Sequence, residues 1–284
     1  MFKDMPHTRY QSHEWESVTP QLLPFLQMLP LVFDSVKQAR QYWDLIVEAT
    51  MLWRASSHPN GFSTLGFGEN NIRASQRRSS SFSQRIKQEL QVYMTTTEGW
   101  LQSFQPLFER SRAQKGTKEF LGASILMIKY LSWRFTLPRL EQCDTYEDEF
   151  LPGYITVVDL AQGLLEADLT NRIKDKPIFI FDDRLVAGLF LVATGCRERR
   201  VRRQAINLLR KYPRREGLWD SSMAAKVATW FMEAEEEGLE GDSIPPSARL
   251  NIVKNDFVLS ERKAVVRCSK IFGTATLPEV TLTW

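Results

Sequence analysis

The sequence predicts an all-α protein: antiparallel helix pairs packed as an array or bundle, closed by a small C-terminal β-hairpin. Three observations carry this. Long windows repeat apolar residues at spacings of three and four. Short polar or proline-bearing connections separate most of these windows, as between antiparallel neighbours. One late window, RLNIVKNDFVLSERKAVVRCSK, instead alternates apolar and polar residues around SERK, which predicts a hairpin at about 249–269. Two strands alone are marginal, so that hairpin needs helical surface beneath it. No strict period recurs, which argues against a regular repeat array.

The elements follow in order. Residues 1–30 are punctuated by Pro6, Pro20, Pro24 and Pro30 and read as an irregular lead-in, with a short helix near 21–29. Over 35–55, Val36, Ala39, Tyr42, Trp43, Ile46, Ala49, Thr50 and Trp53 recur at helical spacing, with Asp34 or Ser35 as cap. This helix is apolar on more than one face. The excess is expected to be covered by residues 1–30 folding back, or by another protein such as a second copy. Residues 56–80 are rich in Ser, Gly and Asn and read as an exposed loop. Helical pattern resumes at 81–112, with Pro106 bending or dividing its end. A further helix is expected over 116–136, an acidic connection over 143–154 and a helix over 155–171. FIFDDRLVAGLFLVATGC reads as one short, very apolar helix, and helices follow at about 198–211 and 219–237.

Composition sets limits. The chain has 284 residues, net charge +3 and pI near 8.7, a balance that does not by itself demand a polyanionic partner. A core of sufficient size needs neither metal nor disulfides. Cys143, Cys196 and Cys268 lie far apart with no C-x-x-C, so they read as buried thiols rather than a zinc cluster or disulfide framework. No apolar run is long enough to span a bilayer, and no secretory signal is visible, so a membrane partner is not expected.

The most unusual stretch is CRERRVRRQAINLLRKYPRREGLWDS, residues 196–221. Nine of the twenty positions from Cys196 to Arg215 are Arg or Lys. On a helix, Val201, Ala205, Leu208 and Leu209 share one face, and the cations occupy the sides and back. Two readings compete. Arg199, Arg200, Arg202, Arg203, Arg214 and Arg215 could form a basic patch making weak contacts with nucleic acid or an acidic partner. Alternatively they are a solvated face paired with nearby acids, among them Asp182, Asp183, Glu216, Asp220 and the EAEEE run at 233–237. With no aromatic platform and no second basic strip, the second reading is favoured. Trp219 is expected to wedge at the elbow between two helices, so that Trp219→Ala costs about 3–5 kcal/mol. Asp220 or Ser221 starts the next helix.

No constellation for chemistry is found. His7, His13 and His58 sit in lead-in or loop sequence without metal-ligand spacing. There is no G-x-S-x-G, P-loop or strand-bound G-x-G-x-x-G. Asp182-Asp183 reads as the cap of the apolar helix rather than an acid pair. No catalytic, metal or cofactor residues are assigned, and an enzyme is not expected. Arg77-Arg78-Ser79-Ser80 resembles a site for basic-directed kinases, with Ser80 as acceptor.

FLVATGCRERRVRRQAINLLRKYPRREGLWDS also resembles a signature of the fungal-specific regulatory region of six-cysteine zinc-cluster transcription factors. LPLVFDSVKQARQYWDLIVEATMLW and the Ile244-Pro245-Pro246-Ser247-Ala248-Arg249 run extend the likeness to about residues 25–270, more loosely. The six-cysteine cluster itself has no counterpart here. The resemblance implies a helical regulatory domain over 31–284, nuclear or else cytoplasmic, and non-enzymatic. It implies the C-terminal part of such a regulator, or a stand-alone relative. Trp219 and Asp220 belong to the signature. The partners implied are proteins of the transcription machinery or a second copy, together with an unknown small-molecule effector. DNA enters only if a zinc cluster is supplied in cis or trans. A stand-alone interaction scaffold and a helical enzyme with a buried pocket remain the alternatives.

Overall fold

The structure is a computed structural model. It describes residues 28–57, 80–136, 149–170, 178–180, 185–240, 244–271 and 276–284. Seven α-helices occur among them, with two small three-stranded sheets. The chain is therefore mainly helical, but its β content exceeds one hairpin. It forms two compact units that divide within the second helix, between Leu107 and Phe108.

The first unit holds α1 (Val36–Ser57) and most of α2 (Ser80–Arg112). Ser35 starts α1, because its Oγ accepts the Gln38 amide at 3.2 Å while Gln38 Oε1 accepts the Asp34 amide at 2.8 Å. The core here is aromatic. Trp43 of α1 meets Trp100 of α2 with ring centroids 4.9 Å apart, and Trp53 meets Tyr93 at 5.2 Å. Two of these indoles donate inside the core: Trp100 Nε1 to the Ala39 carbonyl at 2.9 Å, and Trp53 Nε1 to Glu89 Oε2 at 2.8 Å.

The apolar face of the first helix is covered at Trp43, Ile46 and Trp53, which are all buried. Its cover comes from α2 of the same chain and from the residues just before α1. Phe33 donates its amide to the Ser103 carbonyl at 3.1 Å, and Ser103 Oγ donates to the Pro30 carbonyl. Pro106 does not divide α2, which runs on to Arg112. Pro106 and Gln102, four residues earlier, are both exposed, so the carbonyl released by the missing N–H can meet water.

The second unit is built around α5 (Val186–Gly195), which packs against α3 (Lys118–Thr136), α4 (Leu151–Thr170), α6 (Arg199–Lys211) and α7 (Ser221–Glu236). A helix with neighbours on all sides must be apolar all round, and VAGLFLVATG is. Gly188 lets α3 approach: a Cβ there would lie 2.9 Å from Ile128 Cγ2 and 3.0 Å from Ser132 Oγ. Helix α4 begins at Leu151, within the expected connection, because Pro152 is tolerated in a first turn.

The segment read as one apolar helix is a strand and a helix. Strand β1 (Ile178–Ile180) pairs parallel with β2 (Arg214–Glu216), and β2 pairs antiparallel with β3 (Trp219–Asp220). Strands of two or three residues are too short to show alternation, so they were not legible as such.

The expected hairpin forms from β4 (Leu250–Val258) and β5 (Lys263–Lys270), with Arg262 left-handed at the turn, φ 50°. A third strand, β6 (Val280–Thr283), pairs with β5 and extends it to a sheet. One face of this sheet buries Ile252, Ala264, Val266, Cys268 and Leu282 in the same core as Val227, Ala228 and Phe231 of α7. That is the helical surface the strands require.

Candidate functional site

The arginine-rich helix α6 carries the most charge in the smallest space. Glu198 caps its N-terminus, accepting the Arg200 and Val201 amides at 3.0 and 2.7 Å. Val201, Ala205, Leu208 and Leu209 face the core, as their spacing requires, and Ile206 joins them.

Arg202 is buried too, with no exposed surface. It was expected to project away from the core. Three elements enclose it instead. Its Nε donates to the Ala193 carbonyl near the end of α5 at 2.8 Å. Its Nη2 lies 2.7 Å from Glu235 Oε2 of α7, and its guanidinium sits over the Phe231 ring, 5.7 Å from the centroid. Burial pulls the Arg202 pKa below its usual value, and the Glu235 charge opposes that.

Glu235 is the hub. Arg197 Nη1 donates to both its oxygens, at 2.8 and 2.7 Å, and the Leu250 amide at the start of β4 donates to Oε1 at 2.7 Å. One buried carboxylate thus ties the α5–α6 connection, α6 and the sheet to α7. Two buried cations share it, so this trio carries a net positive charge.

Arg199 and Arg203 turn to the next acid along α7. Arg203 is hydrogen-bonded to Glu236, Arg199 Nε lies 3.6 Å from the same carboxylate, and Arg199 Nη2 donates to the Leu239 carbonyl at 3.3 Å. Arg214 is buried, with Nε 2.9 Å from Glu216 Oε1. Of the six arginines grouped by sequence, Arg202 and Arg214 are therefore not surface cations, and Arg199 and Arg203 are engaged by Glu236. Arg200 and Arg215 are exposed. A helical pattern distinguishes one apolar face from the rest, but α6 has neighbours on more than one side.

Glu216 has a second role that sequence reasoning missed. Its Oε2 accepts the Leu185 and Val186 amides at 2.7 and 3.0 Å, capping α5 from thirty residues downstream. That role was expected of Asp182-Asp183, which lie outside the described residues, as do His7, His13, His58 and Cys143. Ser80 is the first residue of α2, and its side chain lies outside the description.

Asp220 does cap α7, its Oδ1 accepting the Ser222 and Met223 amides at 2.8 and 3.0 Å. Trp219 is not a wedge between helices. It stands on β3, half-buried, with its ring 5.4 Å from that of Phe190 in α5. The expected cost of Trp219→Ala falls accordingly, to about 2 kcal/mol in urea unfolding. A loss as large as that for a fully buried tryptophan would contradict this placement.

The two described cysteines are buried thiols. Burial pushes Cys196 from an ordinary 9.0 to about 11, and Cys268 to about 12. Both are protonated at neutral pH, and the stability tied to the thiol form is lost as pH rises above 9. Neither should react with iodoacetamide at pH 8 until the protein unfolds. Peptide mapping reads this directly, and native-state labelling at either position would refute it.

Among the described residues, no cluster of three or more His, Cys, Asp or Glu could hold a metal ion, and no helix is long and apolar enough to cross a membrane. No family model matches the chain, and no solved structure matches it. Part of the chain is similar to a fungal protein described as the aspercryptin biosynthesis cluster-specific transcription regulator atnN, from Emericella nidulans. The identity is 36% over 76 residues, and the match covers 24% of this chain and 12% of that regulator.

Proposed function

We propose that the chain is a regulatory, non-catalytic region of a fungal transcription regulator of the zinc-cluster kind, acting in the nucleus through contacts with proteins of the transcription machinery. The observation that carries this reading is the identity shared with the Emericella nidulans regulator. The arginines and carboxylates interlocked around α6 support a scaffold role, because these charges pair with one another within the fold. An unknown small-molecule effector remains part of the proposal, and no residue is assigned to it.

The test is a reporter assay. The chain is fused to an unrelated DNA-binding domain and expressed in a fungal host beside that domain alone. The expected result is a clear change in reporter output, up or down, at equal protein level. Output equal to that of the bare domain, from a fusion shown to be folded, would refute the reading.

DNA recognition belongs to a zinc cluster supplied in cis or trans. Alone, the chain is expected to bind duplex DNA weakly and without sequence preference. With Arg200 and Arg215 as the exposed members of the arginine group outside the pairing with Glu236, the slope of log K against log salt should be about −2. Six phosphate contacts would give about −5. A salt titration with specific and scrambled duplexes separates these, and a strong preference for one duplex would count against the proposal.

A further inference from the structure

We propose that α7 carries a self-complementary surface through which two copies of this chain associate. Lys226, Trp230 and Glu233 follow one another at spacings of four and three, so they form one stripe along the helix, and Glu237, the residue that ends it, follows four positions later. Lys226, Glu233 and Glu237 are exposed and Trp230 is half-buried. The stripe is segregated by sign: positive toward the start of α7, apolar at the middle and negative toward the end.

Helix α6 extends the pattern. It runs antiparallel to α7, since Arg203 reaches Glu236 while Arg210 reaches Thr229 Oγ1 at 2.6 Å. That direction brings the exposed Arg210 and Lys211 toward the Lys226 end and reinforces its charge. Lys226 and Glu233 stand about two turns apart, roughly 10 Å along the axis, too far to pair within one helix. Glu233 in the last turn and Glu237 at the C-cap are like charges at the negative end of the helix dipole, an unfavourable arrangement for the chain alone. Among the described residues, neither they nor Lys226 makes an ion pair.

A surface that presents both signs in opposite order is its own complement. Two copies related by a twofold axis through Trp230 would lie with their α7 helices antiparallel. Lys226 of each would face Glu233 and Glu237 of the other, and the two indoles would meet at the centre with charges at the rim. A uniformly acidic or basic partner would match only one end of the stripe, which is why a second copy fits better. This contact does not depend on the regulatory reading above, and its test is indifferent to transcription.

The experiment is sedimentation equilibrium of the full chain at rising concentration, in low and high salt. The wild type is expected to form a dimer that salt weakens. Lys226→Glu should raise the dimer Kd at least about tenfold, a measurable change in association free energy. The charge-reversed triple variant, Lys226→Glu with Glu233→Lys and Glu237→Lys, should restore the dimer, because every cross-pair is rebuilt with its sign inverted. Circular dichroism checks that each variant is folded, which these exposed positions favour. A chain that stays monomeric, a dimer indifferent to Lys226→Glu, or a triple variant that fails to restore association would each overturn the proposal.

Discussion

Glu235→Ala is expected to destabilise the protein by about 3–5 kcal/mol. The carboxylate is buried and holds Arg197, Arg202 and the Leu250 amide at once. Removing it takes the shared carboxylate away from two buried guanidinium groups, and their mutual repulsion is no longer offset by it. The backbone donor that starts β4 also loses its acceptor, so the sheet loses a polar anchor to α7. Urea unfolding followed by circular dichroism measures the loss, with Arg200→Ala as the surface control, expected within about 0.5 kcal/mol. The pairing is not itself expected to be a large net gain. Replacing all three groups together, Arg197→Met, Arg202→Met and Glu235→Leu, should recover much of the stability, since an apolar trio of similar volume avoids the desolvation of charge. If Glu235→Ala cost no more than Arg200→Ala, the network would have to be open to water and the burial of Arg202 would be wrong.

What the sequence made legible follows from the range of each signal. Val201, Ala205, Leu208 and Leu209 fall on one face by spacing alone, so the orientation of α6 could be read locally. The Asp220 cap lies directly before its helix and was visible for the same reason. Arg202 could not be placed, because its burial depends on a carboxylate from α7 and a carbonyl from α5. The EAEEE run was visible as a source of acids, but not which of them lies inside. Glu216 shows the same limit: its carboxylate replaces a local cap on α5 from the far side of α6. Two aspartates adjacent in sequence looked the better candidates. Strand β6 did carry a signal, since Val280, Leu282 and Trp284 alternate with threonines. Four residues are too few to separate a strand from a tail without the partner β5. Pro106 misled in the opposite direction, because an exposed proline costs a helix less where burial of Phe104, Leu107 and Phe108 holds both sides.

Trp100→Ala is expected to cost about 3–5 kcal/mol and to loosen α1 most of all. The indole of Trp100 is fully buried and central to the aromatic core of the first unit. Its ring stacks on Phe104 at 4.6 Å, meets Trp43 at 4.9 Å and reaches Phe33 at 5.9 Å. Truncation leaves a cavity between two helices whose remaining side chains are themselves large rings, and stiff rings close such a gap poorly. It also removes the donor to the Ala39 carbonyl. Trp100→Phe separates the two contributions: it keeps most of the ring and loses the hydrogen bond, and should cost about 1–2 kcal/mol. Leu31→Ala is the control, because Leu31 is 95% exposed and packs nothing into this core; its effect should stay within about 0.5 kcal/mol. Hydrogen exchange of the α1 amides tells local from global loss. Faster exchange between Trp43 and Trp53 in Trp100→Ala, with Leu31→Ala unchanged, is the expected outcome. Equal losses for the two variants would mean that α1 does not depend on this ring for its packing.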